Sequence, residues 1–368
     1  MTGTMRAIVK EKPEVGAVYR TDVPIPQISD EEVLVKVKAT AICGTDQHIY
    51  KWAPYAQERL KLPMVFGHEF AGDIVEVGKN VLGYQVGDRV AGETHIPCNQ
   101  CYQCRTGNQH VCEHMKIIGV HVPGSFGEYI NVHKDCLWKL DDSISYVKGS
   151  LLEPFGVGVH GVSATPMGGK DVLITGCGPI GLMAIAAAKY SGAGRIFATD
   201  IDEPKLEVAK QMGADVTINT RSQAASEVVL NATGGRGVDA VIDYTGNNGA
   251  ISDAFKALKL HGQFTMVGLP GGSLTLDATN GIIYKEATVV GVTGRLMYQT
   301  WFECEKLLKT PGFDLKPALG GIYPLEKYED AFQALFSGAP GKMVLTLEDG
   351  ARTAEALLVR DGRIVLAG

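Results

Sequence analysis

The spacing of apolar and polar positions divides the chain into regions of different period. From residue 5 to about residue 140 the pattern is strand-like, and VLVKVKATAI (33–42) places an apolar residue at every second position. Glycine turns such as those in VGKNVLGYQVGDRV interrupt these segments. Alternation with a period of two, punctuated by glycine, predicts an all-β region.

After about residue 155, short apolar runs alternate with helical segments. The runs VLIT and AVID lack polar alternation, which is typical of strands covered on both faces. Strand and helix in alternation predict right-handed βαβ units and a parallel sheet. Strands are expected at DVLITG (171–176), RIFATD (195–200), VDAVIDYTG (238–246), GQFTMVG (262–268) and ATVVGVTG (287–294), and helices at 180–190 and 203–212.

From about residue 297 the chain leaves this alternation, with an amphipathic helix in YQTWFECEKLLKT and an apolar strand near GKMVLTL. The tail EALLVRDGRIVLAG (355–368) alternates apolar residues around Asp361-Gly362, which favours a type I′ hairpin. An isolated hairpin is marginally stable in water, so we expect it to pack on its own or a neighbouring subunit. A disordered tail is the alternative.

Length and composition narrow the range of possible domain numbers, protein classes and partners. A chain of 368 residues exceeds the usual size of one domain and predicts two. With 45% hydrophobic and 21% charged residues, the composition is that of a globular protein without a membrane-spanning run. The net charge of −6, without a basic stripe, argues against nucleic-acid binding. The charged N-terminus lacks an apolar signal region, so we expect a cytoplasmic protein with a small-molecule partner.

GCGPIG (176–181) has the spacing of a dinucleotide-binding turn. It follows a predicted strand, opens a predicted helix, and Asp200 ends the next strand, as the fingerprint requires. Gly176 permits the tight turn, Gly178 lets the pyrophosphate approach the backbone, and Gly181 lets helix pack on strand. Asp200 would accept hydrogen bonds from the adenosine ribose and repel a 2′-phosphate, so NAD is favoured over NADP. A glycine-rich turn in an unrelated α/β domain is the alternative.

Four of the eight cysteines lie within CNQCYQCRTGNQHVC: Cys98, Cys101, Cys104 and Cys112. In a reducing compartment such clusters are more often metal or redox sites than disulfides. Four closely spaced thiolates suit a closed tetrahedral Zn²⁺ site with a structural role. An iron–sulfur cluster has similar spacings and is the alternative.

A second set, Cys43, His68, Glu69 and Glu153, offers sulfur, nitrogen and oxygen. A mixed set of this kind suits a Zn²⁺ ion that keeps one position open for water or substrate. Such an ion acts as a Lewis acid on a substrate hydroxyl, which makes hydride loss from the carbinol carbon feasible. The sequence leaves open which carboxylate binds the metal.

Thr45 and His48 follow Cys43 by two and five residues, so one turn of chain can direct both side chains to the same region. They could relay the substrate proton through the nicotinamide ribose to water. Taken singly, each would more often be an ordinary hydrogen-bonding residue. Their occurrence with the NAD fingerprint favours the catalytic interpretation.

Together, CGTDQH, GHEFAGDIVEVG, GDRV, the four cysteines, LLEP and GCGPIG resemble the zinc-containing medium-chain dehydrogenases over about residues 5–347. This resemblance implies an α/β protein with a GroES-like β-barrel catalytic domain and a Rossmann doubly wound parallel-sheet domain. It also implies a homotetramer. The expected parts are a catalytic domain (1–155) with a structural zinc lobe (95–115), an NAD-binding domain (156–296), a return to the catalytic domain (297–348) and the tail (349–368).

The resemblance also implies roles for individual residues. Thr45 and His48 would form the relay, Cys43, His68 and Glu69 would bind the catalytic zinc, and Glu153 would tune it. His95 would lie near the substrate, and Lys205 stands where the family has an arginine. NAD contacts would come from Ile180, Asp200, Lys205, Val267, Gly268, Leu269, Val292 and Thr293.

Within the family, CGTDQHIYKW, GETHIPC, GSFGEYI, EPFG and VTGRLMYQTWFE resemble the branch that oxidises L-threonine to 2-amino-3-ketobutyrate. His95, Glu153 and Arg295 are candidates to hold the ammonium and carboxylate groups of such a substrate. A polyol or diol dehydrogenase, of the sorbitol or butanediol type, is the main alternative. A catalytically silent NAD-binding protein is disfavoured, since it has no need of an open metal site.

Overall fold

The computed structural model describes residues 2–347 and the backbone of two short strands, 357–360 and 363–366. The chain forms two compact units, one made of Met1–Pro154 with Leu319–Gly368 and the other of Phe155–Ala318. We call them the catalytic unit and the nucleotide unit.

The first part of the catalytic unit is built mainly from strands. Its strands are β1 (Thr4–Lys10), β2 (Val18–Pro24), β3 (Glu32–Ala41), β4 (Met64–Val65), β5 (Glu69–Val77), β6 (Arg89–Gly92), β7 (His95–Ile96), β8 (Lys116–Ile117), β9 (Tyr129–His133) and β10 (Leu137–Lys139). Its short helices are α1 (Gly44–Tyr50), α2 (Pro54–Arg59), α3 (Tyr102–Arg105) and α4 (Tyr146–Ser150), with 3₁₀ turns at Gln109–Val111 and Lys134–Cys136.

Helix α5 (Leu152–Ser163) leads into the nucleotide unit, where strands and helices alternate. The strands are β11 (Asp171–Thr175), β12 (Arg195–Asp200), β13 (Val216–Asn219), β14 (Val238–Asp243), β15 (Leu258–Met266) and β16 (Thr288–Gly291). The helices are α6 (Pro179–Tyr190), α7 (Glu203–Met212), α8 (Ala225–Ala232), α9 (Asn248–Ala257), a π-helix (Thr279–Ile283), α10 (Gln299–Leu308) and a 3₁₀ turn at Lys316–Ala318.

The six strands form one parallel sheet in the order β13-β12-β11-β14-β15-β16. The order reverses beside β11, and ligands of such sheets bind where the strand order reverses. Leu173, Val241 and Phe264 of the central strands are fully buried. This explains the unbroken apolar runs in the sequence, since side chains on both faces of the sheet are covered.

The chain re-enters the catalytic unit at Leu319, whereas the sequence pattern placed the return at about residue 297. The boundary prediction was wrong because 297–318 packs within the nucleotide unit. Phe313 contacts the rings of Phe155 and Tyr190, with centroids 5.6 and 5.1 Å apart, and Ser163 Oγ donates to Glu303 Oε2 at 2.6 Å. The returning elements are β17 (Leu319–Pro324), a 3₁₀ turn at Leu325–Lys327, α11 (Tyr328–Phe336) and β18 (Lys342–Thr346).

Strand β3 is central to the large sheet of the catalytic unit, which runs β10-β6-β5-β3-β18-β17 and continues into the tail. Strand β9 also pairs with β3, and smaller sheets are formed by β2-β1-β4 and β7-β8. Val33, Leu34 and Val35 in β3 are fully buried, so the core continues on both faces of this strand. The antiparallel β3–β5 ladder places Ala41 opposite Glu69, and the β3–β18 ladder places Ala41 opposite Val344.

The tail contains two antiparallel strands, β19 (Leu357–Arg360) and β20 (Arg363–Leu366). Ile364 of β20 pairs with Ile322 of β17, so the strands extend the sheet of the same chain. Asp361-Gly362, where a type I′ turn was predicted, lies outside the described residues. Across the part of the chain that the structure describes, no helix combines the length and apolar character needed to cross a bilayer.

Ending the chain after Glu348 should lower the melting temperature, because the edge of β17 loses its partner strand. A loss of about 1 kcal/mol corresponds to a fall of about 2–4 °C in proteins of roughly 150–250 residues, and to a smaller fall in a chain of 368 residues. Differential scanning calorimetry of the two chains, with light scattering to compare their masses, measures this. An unchanged melting temperature and mass would show that the tail does not stabilise the fold.

Candidate metal and nucleotide sites

The four clustered cysteines meet in one place. Their sulfur atoms lie within 4.8 Å of one another, although the Gln109–Val111 turn separates Cys112 from the other three along the chain. Sγ of Cys101 and Sγ of Cys112 are 3.9 Å apart, far beyond the roughly 2.05 Å of a disulfide. All eight cysteines lie among the described residues, and all are free thiols. The disulfide interpretation is therefore excluded.

Backbone amides prepare these sulfurs for a metal. The N–H groups of Cys98 and His114 donate to Sγ of Cys112 at 3.2 and 3.3 Å, and Cys101 N–H donates to Sγ of Cys98 at 3.3 Å. Backbone hydrogen bonds from Cys104 and Glu113 lower the pKa of Cys101 to about 6. Donors of this kind favour thiolates, the form in which cysteine binds metals.

The second predicted set also comes together in part. Ligand atoms of Cys43, His68 and Glu69 lie within 4.8 Å of one another. Strand pairing explains this: Ala41 stands opposite Glu69, so Cys43, which follows the end of β3, meets His68, which directly precedes β5. His68 and Glu69 are buried, while Cys43 is partly accessible. A site with one accessible ligand can admit a substrate.

Glu153 is not a member of this tight group. It is buried in the first turn of α5, in the catalytic unit. Burial raises the pKa of Glu69, Lys342 lowers it, and the charge of Glu153 raises it further. Glu153 therefore acts on the group through its charge, and Glu69 is the carboxylate that the structure places among the ligand atoms.

Asp46 is a residue of the candidate metal site that the sequence interpretation missed. Its side chain is fully buried, and Oδ2 accepts a hydrogen bond from the Cys43 N–H at 2.8 Å. Its other oxygen, Oδ1, lies 3.6 Å from Nδ1 of His68. An acidic residue three positions after the residue preceding a helix is a recognisable capping signal, which could have identified Asp46.

Lys342 was also missed. Its Nζ donates to Oε1 of Glu69 at 2.6 Å, and the two side chains are 4% and 0% exposed. The residues are far apart in sequence, and a lysine at the start of an apolar strand carries no local signal for this pairing. Only the β3–β5 and β3–β18 ladders bring the lysine to the site.

Two observations show that the residues around Cys43 fit a zinc ion. His68 Nδ1 and Glu69 Oε2 are buried atoms without a hydrogen-bond partner, an arrangement that costs free energy unless something binds there. Burial by itself lowers the pKa of His68, but the charges of Asp46 and Cys43 raise it to about 10. Burial also raises the pKa of Asp46. The group is short of positive charge, which a divalent cation supplies.

Thr45 and His48 both lie on α1, directly after Cys43. Residues three apart share one side of a helix, so the two side chains can serve the same region. Thr45 is partly buried and His48 is exposed, with its ring centroid 6.2 Å from that of Tyr55. The partly buried hydroxyl of Thr45 and the exposed imidazole of His48 therefore suit a path for a proton from the site to water.

His95 is held by a buried carboxylate. Oε1 of Glu93, a fully buried residue, accepts the His95 N–H at 2.9 Å and lies 3.0 Å from Nδ1 of the imidazole. This fixes the ring and favours a proton on Nδ1. His95 belongs to the catalytic unit and Arg295 to the nucleotide unit, where it is buried.

The glycine-rich turn opens α6 beside a cavity of about 690 Å³ at the carboxyl ends of the parallel strands. Gly176 has φ of +91°, which favours glycine, and a Cβ on Gly181 would lie 1.9 Å from the Gly176 oxygen. A Cβ on Gly178 would meet open space in the cavity wall. Gly176 and Gly181 are therefore positions where a side chain would be strained or would clash with the turn.

Asp200 is anchored by three backbone amides. Its Oδ2 accepts Cys177 N–H of the glycine-rich turn at 2.8 Å, and Oδ1 accepts those of Ile201 and Asp202 at 2.8 and 3.1 Å. The carboxylate lines the cavity beside Lys205. The Asp200 carboxylate therefore joins the glycine-rich turn, which is predicted to bind the pyrophosphate, to the predicted position of the ribose.

The other predicted cofactor contacts lie outside this cavity lining, in Ile180, Val267, Gly268, Leu269, Val292 and Thr293. Ile180 is in the first turn of α6, and the others directly follow β15 or β16 at the carboxyl edge of the sheet. Leu269 is 87% exposed, so its side chain is accessible. The sequence interpretation missed Thr245 and Asn247, which follow β14 and line the cavity.

Two family models match the chain, an alcohol dehydrogenase GroES-like domain at residues 29–142 and a zinc-binding dehydrogenase domain at 179–310. An L-threonine 3-dehydrogenase from Bacillus velezensis is 43% identical, over 94% of this chain and 99% of that protein. The L-threonine 3-dehydrogenase of Bacillus subtilis is 42% identical over the same shares. The crystal structure of 2R,3R-butanediol dehydrogenase from Bacillus subtilis is 27% identical with a TM-score of 0.85, covering 94% and 100% of the two chains.

The chain therefore belongs to the zinc-dependent medium-chain dehydrogenases, which confirms the family and fold predicted from its motifs. It combines a GroES-like catalytic domain with a Rossmann domain. Zinc is the metal of this dehydrogenase family.

Replacing Lys342 with Met should strongly destabilise the protein, because Glu69 would remain as a buried carboxylate without its cation. Breaking a buried pair in this way typically costs about 3–5 kcal/mol. The midpoint of urea unfolding, measured on metal-free protein in which no zinc ion compensates Glu69, should fall accordingly. Lys210→Met is the matched control, since Lys210 and Glu207 form a pair whose side chains are 51% and 55% exposed and should contribute about 0–1 kcal/mol. Equal shifts in the two variants would contradict the role given to Lys342.

Proposed function

We propose that the protein is an NAD-dependent, zinc-dependent dehydrogenase that oxidises the secondary alcohol of L-threonine to 2-amino-3-ketobutyrate. Its similarity to L-threonine 3-dehydrogenases over nearly the full length of both chains carries this proposal. The assembled Cys43, His68 and Glu69 group supports a catalytic role, since a silent relative would have no reason to retain it.

In this function Cys43, His68 and Glu69 hold the catalytic zinc, and the four-cysteine lobe holds a structural zinc. The catalytic ion supplies Lewis acidity to the substrate hydroxyl. Asp46 fixes the Cys43 backbone and lies against His68, and Lys342 balances the charge of Glu69. Thr45 takes the substrate proton, and His48 passes it to water at the exposed end of the relay.

The amino-acid substrate needs groups that recognise its ammonium and carboxylate. His95, oriented by Glu93, presents Nε2 as a hydrogen-bonding atom, and Glu153 is a carboxylate that can pair with an ammonium. A polyol or diol lacks both charged groups, so these residues distinguish the two substrate classes.

NAD binds to the nucleotide unit through the glycine-rich turn, Asp200 and Lys205. The amino end of α6 would hold the pyrophosphate of NAD, since backbone N–H groups and the helix dipole favour a negative charge there. NAD would supply the acceptor for the hydride of the substrate carbinol carbon. The residues predicted after β15 and β16 complete the binding surface on the nucleotide unit.

The similarity to butanediol dehydrogenase makes a diol the second candidate substrate. That protein shares the fold at lower identity than the threonine enzymes, so the diol is the less favoured choice. We also propose that the chain forms a homotetramer in the cytoplasm. Its free thiols fit a reducing compartment, and the family resemblance supports the tetramer.

Initial rates of NAD⁺ reduction by zinc-loaded protein should be highest with L-threonine when L-threonine, sorbitol and 2,3-butanediol are compared side by side. We expect kcat/KM for L-threonine to exceed the others by at least about a hundredfold, since buried polar groups left unpaired penalise the wrong substrate. If sorbitol or 2,3-butanediol gave the highest rate, the proposed dehydrogenase chemistry would stand and the proposed substrate would be wrong.

Cys43→Ser serves as the control in that assay. The variant should lose turnover on the order of a thousandfold while its NAD⁺ affinity stays unchanged, because the cysteine belongs to the catalytic unit. Turnover that survived this change would rule out a catalytic zinc at this site.

Asp200→Gly should shift cofactor preference towards NADP⁺ and also weaken NAD⁺ binding, because the variant loses the ribose acceptor and the anchor of Cys177 N–H. Loss of charge-assisted hydrogen bonds predicts a rise of about tenfold or more in the Kd of NAD⁺, measured by calorimetry. Asp200→Asn retains an acceptor for Cys177 and should lose less affinity. An unchanged ratio of NAD⁺ to NADP⁺ affinity would reject the ribose assignment.

A further inference from the structure

A compact group of charges surrounds the start of α7, at the edge of the nucleotide cavity. Asp202 accepts a hydrogen bond from Lys205 Nζ through Oδ2 at 2.8 Å, and its Oδ1 lies 3.4 Å from Nη2 of Arg221. Lys205 Nζ is farther from Asp200, at 3.9 Å from Oδ1. One carboxylate thus holds two cations beside the residue assigned to the adenosine ribose.

The two aspartates play different parts in this group. Asp200 and Lys205 line the cavity, whereas Asp202 and Arg221 are not among the residues that line it. The Asp200 carboxylate is fixed by three backbone amides and cannot leave without disrupting the glycine-rich turn. Asp202 precedes α7, but its side chain makes no hydrogen bond to the helix amides. Its carboxylate is therefore committed to the two cations rather than to the fold.

We propose that Asp202 is a second determinant of cofactor selectivity, which holds Lys205 and Arg221 in ion pairs and so withholds them from the 2′-phosphate of NADP. The inference rests on the proposed use of NAD and assigns Asp202 as a positioning residue acting through Lys205. Asp200 repels the phosphate, and Asp202 removes the cations that could compensate for that repulsion.

The Asp202 carboxylate and the 2′-phosphate of NADP compete for the same cations. A phosphate is bound by charge-assisted hydrogen bonds from lysine and arginine, and both are present within reach of Asp202. A cation already paired with a carboxylate must break that pair before it can bind a phosphate. The Lys205 side chain is 23% exposed, so its pair is partly shielded from solvent and less weakened than a surface pair. Releasing it should therefore have a measurable effect.

Isothermal titration calorimetry of Asp202→Asn with NAD⁺, NADP⁺ and adenosine 2′,5′-bisphosphate tests this. The amide keeps the size of the side chain and removes its charge. We expect the Kd of NADP⁺ and of the bisphosphate to fall by about tenfold, the value of one charge-assisted hydrogen bond, while the Kd of NAD⁺ changes by less than about twofold. Binding of NAD⁺ to the unmodified protein is measured first, so that a failure of the proposed cofactor use is seen separately.

Two further variants isolate the mechanism. Glu203→Gln removes one negative charge at the next position, where Glu203 accepts a hydrogen bond from Asn219 Nδ2 at 2.9 Å, and should leave NADP⁺ affinity nearly unchanged. Adding Lys205→Met to Asp202→Asn should abolish most of the gain. The proposal is overturned if Glu203→Gln gives the same gain, if the gain survives Lys205→Met, or if Asp202→Asn shows no gain while retaining its melting temperature and NAD⁺ affinity.

Discussion

The pairing of β3 with two strands at once is the constraint on which the catalytic unit depends. Ala41, at the end of β3, stands opposite Glu69 of β5 on one side and Val344 of β18 on the other. Cys43 follows this point, while His68 precedes β5 and Lys342 begins β18. A slip of one residue in either ladder would turn these side chains to the opposite face and dismantle the metal site. The register of these two ladders therefore determines whether the candidate metal ligands meet.

More negative than positive charge is buried where β3 pairs with β5 and β18. Asp46, Glu69 and Glu153 are buried near one another, and Lys342 neutralises only part of their charge. Buried groups of this kind either bind protons or find a cation. The raised pKa of His68 corresponds to the first response, and a zinc ion would provide the second. In the proposed function, the cost of burying these acids without a metal favours zinc binding.

The sequence allowed the family, the two kinds of domain and the metal and nucleotide motifs to be predicted, because each depends on local spacing. Helix α7 was predicted with its observed bounds, since its apolar period and flanking residues are local signals. The return of the chain to the catalytic unit was misplaced because packing, rather than periodicity, keeps α10 in the nucleotide unit. Lys342 could not be predicted from spacing, since its partner lies on a distant strand. Glu93 and Asp46 were missed although both sit within three residues of the groups they hold.

Three carboxylates fix loops of the candidate sites in the same way, by accepting a backbone N–H from the loop. Asp46 accepts the N–H of Cys43, Glu93 accepts that of His95, and Asp200 accepts that of Cys177. In each case a second interaction of the carboxylate reaches a side chain or a neighbouring amide of the site: His68, the His95 imidazole, or Ile201. A loop held through its backbone keeps its geometry whichever ligand is bound, and preorganisation of this kind lowers the cost of binding. These positions are consequently sensitive to loss of the acceptor atom as well as to loss of charge, so amide and glycine replacements at the same carboxylate should differ in effect.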